Sequence, residues 1–299
     1  QRGIGPCYID KIARNGIRVG DLLEPERFRD KLTWNVLEKN DMLVRYGKPT
    51  FNLEELYDKF MGLAEKIRFR IFNGVVEINE AIENKKLILF EGAQALMLDI
   101  DYGTYPYVTS SSPTAGGVTT GVGVSPRKIE RILGVMKAYV TRVGEGPFPT
   151  EQDNEIGKRL RDIGHEYGAT TGRPRRCGWL DLVIGRYAVL INGLTDIVLT
   201  KIDVLTGFEK IKVAVGYEID GKIYTSYPGN LRKSKPLKIV YEELDGWIED
   251  ISQIKNYKEL PENCKKYIEY IEKKLNCNVS MVSVGPERSQ NIYRHALLD

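Results

Sequence analysis

Short, continuous apolar runs alternate along this chain with segments of helical period. Leu87-Ile-Leu-Phe90 lies between Lys-Lys and Glu-Gly. Gly134–Thr141 leads into Arg142-Val-Gly-Glu-Gly-Pro147, and Ile197-Val-Leu199 into Thr200-Lys201-Ile202-Asp203. A further run near 279–284 leads into Gly285-Pro286. Runs of this length suit strands buried on both faces, as in parallel sheets covered by helices. Residues 25–45 carry Phe28, Leu32 and Val36 on one helical face, with Pro25 at a favourable start. Residues 52–71 repeat the pattern with Leu53, Leu56, Phe60, Leu63 and Ile67. Further helices are predicted at 179–192 and 262–275, and a short one within 1–16 carries Lys11 and Arg14. Ile211–Ile219 and Ile223–Tyr227 flank Asp220-Gly221, the signal of a type I′ hairpin. The expectation is an α/β fold with a mainly parallel central sheet flanked by helices. It has a mainly helical part at 1–85, a sheet-containing part at 86–299 and a β-hairpin insertion. No repeat or linker divides the chain, so residues 1–299 read as a single domain.

Composition narrows the function classes. Hydrophobic residues make up 42% of the 299, enough for a sizeable core. The 44 basic and 41 acidic residues leave a net charge of +3, which points to neither nucleic acid nor a membrane surface. There is no apolar run near the length of a membrane span. Cys7, Cys177, Cys264 and Cys277 form no C-x-x-C pair, so a reduced, cytoplasmic protein is expected. With only His165 and His295, the chain has no histidine-rich metal site.

Three stretches carry chemistry. Gly168-Ala-Thr-Thr-Gly-Arg-Pro-Arg-Arg176 sets Arg173, Arg175 and Arg176 in a loop shaped by Gly and Pro. Guanidinium groups grip carboxylate and phosphate oxygens in pairs, so this loop suits a small, doubly charged anion. A solvated basic turn is the alternative. Thr200-Lys201-Ile202-Asp203 follows an apolar strand. A carboxylate there can accept from both N1–H and the 2-amino group of guanine, while a lysine stem covers the purine face. Lys39-Asn40-Asp41 has the same spacing but follows a helix, so the strand carries the guanine reading. Asp99 to Ser112 is polar and non-periodic, alternates aromatics with hydroxyls, and leads to Ala115-Gly-Gly117. Hydroxyls before a Gly-Gly turn can hold a phosphate monoester, although a plain surface loop reads the same way. Asp99 and Asp101, without a further acidic partner, are expected to stabilise this loop rather than bind metal.

A guanine reader needs a phosphate cradle, yet no G-x-x-x-x-G-K-[ST] occurs in the chain. The chain opens on Gln1-Arg-Gly-Ile-Gly-Pro6 with no initiator Met. The expectation is that the phosphate loop precedes Gln1.

FEGAQALMLDIDYGTYPYVTSS, AGGVTTGVGVSPR, KAYVTRVGEGPFPTE, GATTGRPRRCGWLD, LTKIDVL and SVGPER occur here in order, after RGIGPCYIDKIARNGIRVGDLL. Together they resemble the adenylosuccinate synthetase family along essentially the whole chain, as its C-terminal two-thirds. The resemblance implies a P-loop-NTPase-like fold and a GTP-dependent ligase of AMP biosynthesis. That ligase joins L-aspartate to IMP through 6-phosphoryl-IMP, giving adenylosuccinate, GDP and phosphate. It also implies Mg²⁺, with no ligand to it in this chain, and a homodimer with shared active sites.

Carried over by motif, Gln94 acts on the hypoxanthine ring as the catalytic contact. IMP would be held by Arg14, Gln94, Thr109, Val143, Gly144 and Arg173, with Arg14 reaching the partner's phosphate. Aspartate would be held by Thr170, Thr171, Arg173 and Arg175. GTP would be held by Arg175, Lys201, Asp203, Ser283, Gly285 and Pro286. Pro174 stands where a further arginine is expected. The family's phosphate loop, catalytic aspartate and catalytic histidine are not among these residues, so the chain alone is expected to be inactive. A guanine-nucleotide switch module, which gives the arginine loop and GTYPYVTSS no role, and a non-catalytic assembly subunit, which the missing catalytic elements suggest, are the alternatives.

Overall fold

A computed structural model of the chain describes residues 3–168, 172–229 and 237–296. The first part is helical. α1 (Ile4–Ala13) ends at Arg14, whose left-handed backbone (φ 66°) lets its N–H reach the carbonyls of Asp10 and Lys11. α2 (Pro25–Arg45) starts on its proline. α3 (Leu53–Ile67) is capped by the Asn52 side chain, which accepts from the Glu54 and Glu55 N–H groups. α4 (Gly74–Glu83) and α5 (Gly116–Val122) follow. Phe28, Leu32 and Val36 on α2 are buried against Leu53, Leu56, Tyr57 and Met61, forming a small core of their own.

The second part builds the sheets. β1 (Leu133–Lys137) and β2 (Val140–Arg142) precede α6 (Glu155–Ile163), which Asn154 caps. β3 (Arg176–Gly178) and β4 (Leu180–Asp181) lead into α7 (Leu182–Asn192). β5 (Asp196–Thr200), β6 (Lys210–Ile219), β7 (Lys222–Tyr224) and β8 (Leu237–Asp245) follow. α8 (Glu262–Leu275), β9 (Asn278–Ser283) and β10 (Asn291–Tyr293) complete the described chain. The central sheet has the order β1-β5-β9-β10. β1, β5 and β9 run parallel, and β10 is antiparallel to β9. A second sheet sets β6 between β8 and the short strands β4 and β7. β2 and β3 form a separate antiparallel pair.

The main core lies between α7, α8 and the central sheet. Cys264, Tyr267, Ile268, Ile271 and Leu275 repeat at three- and four-residue spacing on α8 and all face inward. The Tyr267 hydroxyl donates to the Ala138 carbonyl at 2.7 Å and so fixes the helix against the end of β1. Asp181 caps α7 through the Val183 and Ile184 N–H groups and accepts from the Tyr217 hydroxyl. Burial pushes its carboxyl up to about 6.

Several sequence expectations need correction. Leu87–Phe90 is not a buried strand: Leu87 is 80% and Leu89 84% exposed, and the segment pairs with no described residue. An apolar run supplies strand propensity, but only a ladder partner makes a strand. The run at 134–141 divides into β1 and β2, because Ala138 and Tyr139 turn into the core. The helix expected from 179 begins at Leu182, where Asp181 caps it. α3 stops at Ile67, and Phe60, Leu63 and Ile67 stay 40–45% exposed. The hairpin is as expected, with positive φ at Asp220 (52°) and Gly221 (76°), but β8 is the longer partner of β6. The architecture is therefore a mixed α/β fold whose hairpin belongs to a full second sheet.

Ile268 is wholly buried between α8 and the central sheet. Ile268→Ala should cost about 2–5 kcal/mol, seen as a lower denaturation midpoint at unchanged slope. An unchanged midpoint would show that α8 does not close this core.

Candidate functional site

The parallel register brings the loops together. Lys137 at the end of β1 lies beside Thr200 at the end of β5, and Leu199 lies beside Val282 of β9. The segments just beyond, 201–205 and 283–286, therefore leave the sheet side by side. Such carboxyl ends are where α/β sheets bind ligands.

On the β5–β9 side, Lys201 has a left-handed backbone (φ 59°) and opens a turn over Ile202–Leu205. This turn holds Asp203 with its Oδ1 buried and without a hydrogen-bond partner among the described residues. Burial raises the Asp203 carboxyl above its ordinary range, although Lys201 nearby opposes this. The Ser283 hydroxyl donates to the Gly285 carbonyl at 3.0 Å. A Cβ at Gly285 would come within 2.4 Å of the Gln290 amide, so a larger residue there would have to displace that side chain.

The arginine loop is a hairpin with its base at Glu166 and Arg175. The Arg175 N–H donates to the Glu166 carbonyl (2.9 Å), and the Gly168 N–H to the Arg173 carbonyl (2.8 Å). Thr170 and Thr171 lie outside the described residues. The three arginines do not act as one grip. Arg173 is exposed near the hairpin's open end. Arg175 binds the Glu166 Oε2 at 2.6 Å through Nη1, while its buried Nε has no partner among the described residues. Arg176 turns the other way, into a bidentate pair with Glu151, and its Nη1 donates to the Gly144 and Gly146 carbonyls. That pairing raises the Arg176 guanidinium, which is spent on shaping the 143–146 loop.

Gln94 and Thr109 meet: the Gln94 amide donates to the Thr109 hydroxyl at 3.3 Å and accepts from Ser111 at 3.4 Å. Gln94 itself has a positive φ (70°) and is exposed. Arg142 ties this loop to Val143 and Gly144, donating to the Thr104 hydroxyl and to the Tyr107 and Glu145 carbonyls. Arg142 faces Arg176 across β2 and β3, so the 143–146 loop and the arginine hairpin leave one strand pair. Arg14 stands apart, exposed at the far end of α1.

Glu166 joins the arginine hairpin to the turn after β5, and sequence reasoning passed over it. It has no exposed surface. Its Oε1 accepts from the Lys137 ammonium (2.7 Å) and the Tyr139 hydroxyl (2.7 Å), with the Lys201 ammonium at 3.5 Å. Its Oε2 takes Arg175. Burial alone would raise this carboxyl, but the bonds from Lys137, Tyr139 and Arg175 hold it down at about 2. The available signal was a lone acid in His165-Glu166-Tyr167, just ahead of a loop with three arginines. Asp99 stabilises its loop, as expected, accepting from the Asp101, Tyr102 and Thr114 N–H groups. Among the described residues no three His, Cys, Asp or Glu side chains gather together to hold a metal. None of the described helices is long and apolar enough to cross a membrane.

The arrangement pairs a buried acceptor suited to a purine edge with a hairpin of arginines and a loop of amide and hydroxyl groups. Comparison with known proteins points to one family. The adenylosuccinate synthetase family model matches residues 1–292. An adenylosuccinate synthetase of Fusobacterium nucleatum is 59% identical over 294 residues, which are 98% of this chain and 69% of that protein. The one from Alkaliphilus metalliredigens is 50% identical over 298 residues, 99% of this chain and 70% of its own length. The structure of fully ligated adenylosuccinate synthetase from Plasmodium falciparum superposes with a TM-score of 0.92 at 44% identity, covering 98% of this chain and 70% of that one. A family match over almost every residue, with a fold that agrees at this level, means that this chain belongs to the adenylosuccinate synthetase family.

Proposed function

We propose that this chain reads the three substrates of a ligase that joins L-aspartate to IMP at the expense of GTP. The observation that carries the guanine assignment is the buried, unpartnered Oδ1 of Asp203. A carboxylate oxygen left unsatisfied in a buried place costs free energy unless a ligand completes it. The N1–H and 2-amino groups of guanine are a matching pair of donors. Lys201 stands beside it, and Ser283, Gly285 and Pro286 border the base from β9.

The arginine hairpin, with Thr170, Thr171, Arg173 and Arg175, takes aspartate, the one substrate that brings two carboxylates. Arg175 supports this by keeping a buried N–H unused. Gln94 holds the hypoxanthine edge, Thr109 the phosphate, and Val143 and Gly144 the ribose, with Arg173 beside it. Gln94 suits an N1/O6 edge because an amide both donates and accepts.

Arg14 works in trans, in a homodimer with shared sites. α1 begins beside the Thr109 loop: a Cβ at Gly5 would lie 3.6 Å from the Ser110 hydroxyl. Nine helical steps carry Arg14 roughly 14 Å away from that end. An exposed apolar stripe on α2, with Trp34 (76%), Leu37 (63%) and Val44 (64%), offers a face for a second copy.

Asp203→Asn in the active enzyme should raise the KM for GTP about tenfold or more, since a hydrogen bond to a buried charge contributes ~1.5–3 kcal/mol. The native carboxyl is raised by burial, so GTP affinity should fall as pH drops through that raised value and level off above it. The asparagine variant should lose this pH dependence. A GTP KM within about twofold of the native value would remove the guanine assignment.

Arg175→Leu should raise the KM for aspartate far more than that for IMP, by a loss on the order of 2–5 kcal/mol. Equal changes in all three KM values would mean that the hairpin is only structural.

Subunits carrying Arg14→Leu and subunits carrying Gln94→Ala should each be nearly inactive as homodimers. Mixed under exchange conditions, they should regain activity, because an isologous heterodimer restores one intact shared site. Heterodimers that form without regaining activity would put Arg14 in its own subunit's site.

A further inference from the structure

Among the described residues, Glu166 is the one fully buried carboxylate that touches both the arginine hairpin and the turn after β5. We infer that it is a positioning residue that sets Arg175 and Lys201 together, so that the aspartate loop and the guanine loop are held by one charge. This inference rests on the substrate assignments proposed above.

The geometry leaves little room for another role. Three cations converge on one carboxylate: Lys137 at 2.7 Å, Arg175 at 2.6 Å and Lys201 at 3.5 Å. Without the carboxylate they would repel one another at the end of the sheet. Each oxygen has a separate duty. Oε2 orients the Arg175 guanidinium through Nη1, which leaves Nε free of any described partner. Oε1 is fixed by Lys137 and Tyr139, both set by the end of β1, and draws in Lys201 from the neighbouring strand end. Lys201 is steadied further by the Gly164 carbonyl, two residues before Glu166. A shift of the hairpin therefore moves the Lys201 ammonium, and the turn that carries Asp203, through one side chain. Among the described residues nothing of this kind links Glu166 to Gln94 or Thr109, whose side-chain contacts run to Ser111 and to each other. The expected signature is a joint effect on GTP and aspartate that spares IMP.

The test is steady-state kinetics of the active enzyme carrying Glu166→Gln, Glu166→Asp, Arg175→Leu and the Glu166→Gln/Arg175→Leu pair. Glu166→Gln should raise the KM for GTP and for aspartate by about tenfold or more, with IMP within about twofold and kcat within about threefold. Glu166→Asp, which keeps the charge, should recover part of both losses. In the Arg175→Leu background, Glu166→Gln should add less than about twofold to the aspartate KM and still raise that for GTP, because coupled groups are not additive. A second variant, Lys137→Met/Glu166→Gln, removes the buried charges as a pair and protects the fold; it should show the same two KM increases. The inference is overturned if this double variant uses GTP and aspartate as the native enzyme does. It is also overturned if IMP suffers in step with the other two, or if the effects of Glu166→Gln and Arg175→Leu on aspartate simply multiply. Failure of the underlying assignments reads differently. Arg175→Leu and Asp203→Asn, with Glu166 intact, would then leave the aspartate and GTP KM values unmoved.

Discussion

Three parallel neighbours, β1, β5 and β9, end on the same side of one sheet, and the candidate nucleotide site depends on that register. Lys137, Lys201 and Ser283 are far apart in sequence and adjacent in space because the strands that carry them stop together. The register is held from behind by α8, whose inward face fills the core, and by the Tyr267 hydroxyl on the Ala138 carbonyl. The buried Asp196 at the opposite end of β5 is held by Arg131 and Ser280. Strand ends defined in this way give the following loops fixed starting points, which is what a site made of loops needs.

Charge is organised around the same strand ends. The local excess of Lys137, Arg175 and Lys201 is balanced by Glu166, and Arg176 is balanced by Glu151. Buried ion pairs contribute little net stability, because desolvation offsets most of the Coulomb attraction. Their value is geometric: a guanidinium held by one carboxylate presents its remaining N–H groups in a known direction. The arginine cluster thus divides into one residue that shapes a loop, one that is held with a donor unused, and one that stays exposed.

Of the three buried side-chain atoms without partners among the described residues, the Oδ1 of Asp203 and the Nε of Arg175 lie on the two loops that Glu166 connects, and the third is the Thr150 hydroxyl. Such atoms are rare in folded proteins, since each carries the cost of lost hydration. An acceptor on the guanine loop and a donor on the aspartate loop are the polarities that the proposed ligands would complete. The protein tolerates this local cost at the site because the core around α8 supplies stability elsewhere.

Much of the site was legible in the residues alone. Lys-x-Asp after an apolar strand, the arginines between Gly172 and Cys177, and the hydroxyl-rich loop before Gly116-Gly117 mark chemistry by side-chain type and spacing. The family resemblance then attached ligands to them. The hairpin turn at Asp220-Gly221 and the inward face of α8 were equally plain, because φ preference and helical period are local properties. Leu87–Phe90 shows the limit: an apolar run states a propensity, while pairing is decided by what lies alongside. Glu166 shows the same limit for function. Its neighbours in sequence say nothing of Lys137, 29 residues before it, or Lys201, 35 residues after it, and only the parallel register brings them to one carboxylate. Sequence determined which groups this protein has to bind with; the tertiary structure decided which of them share a charge, because burial and register depend on distant residues meeting.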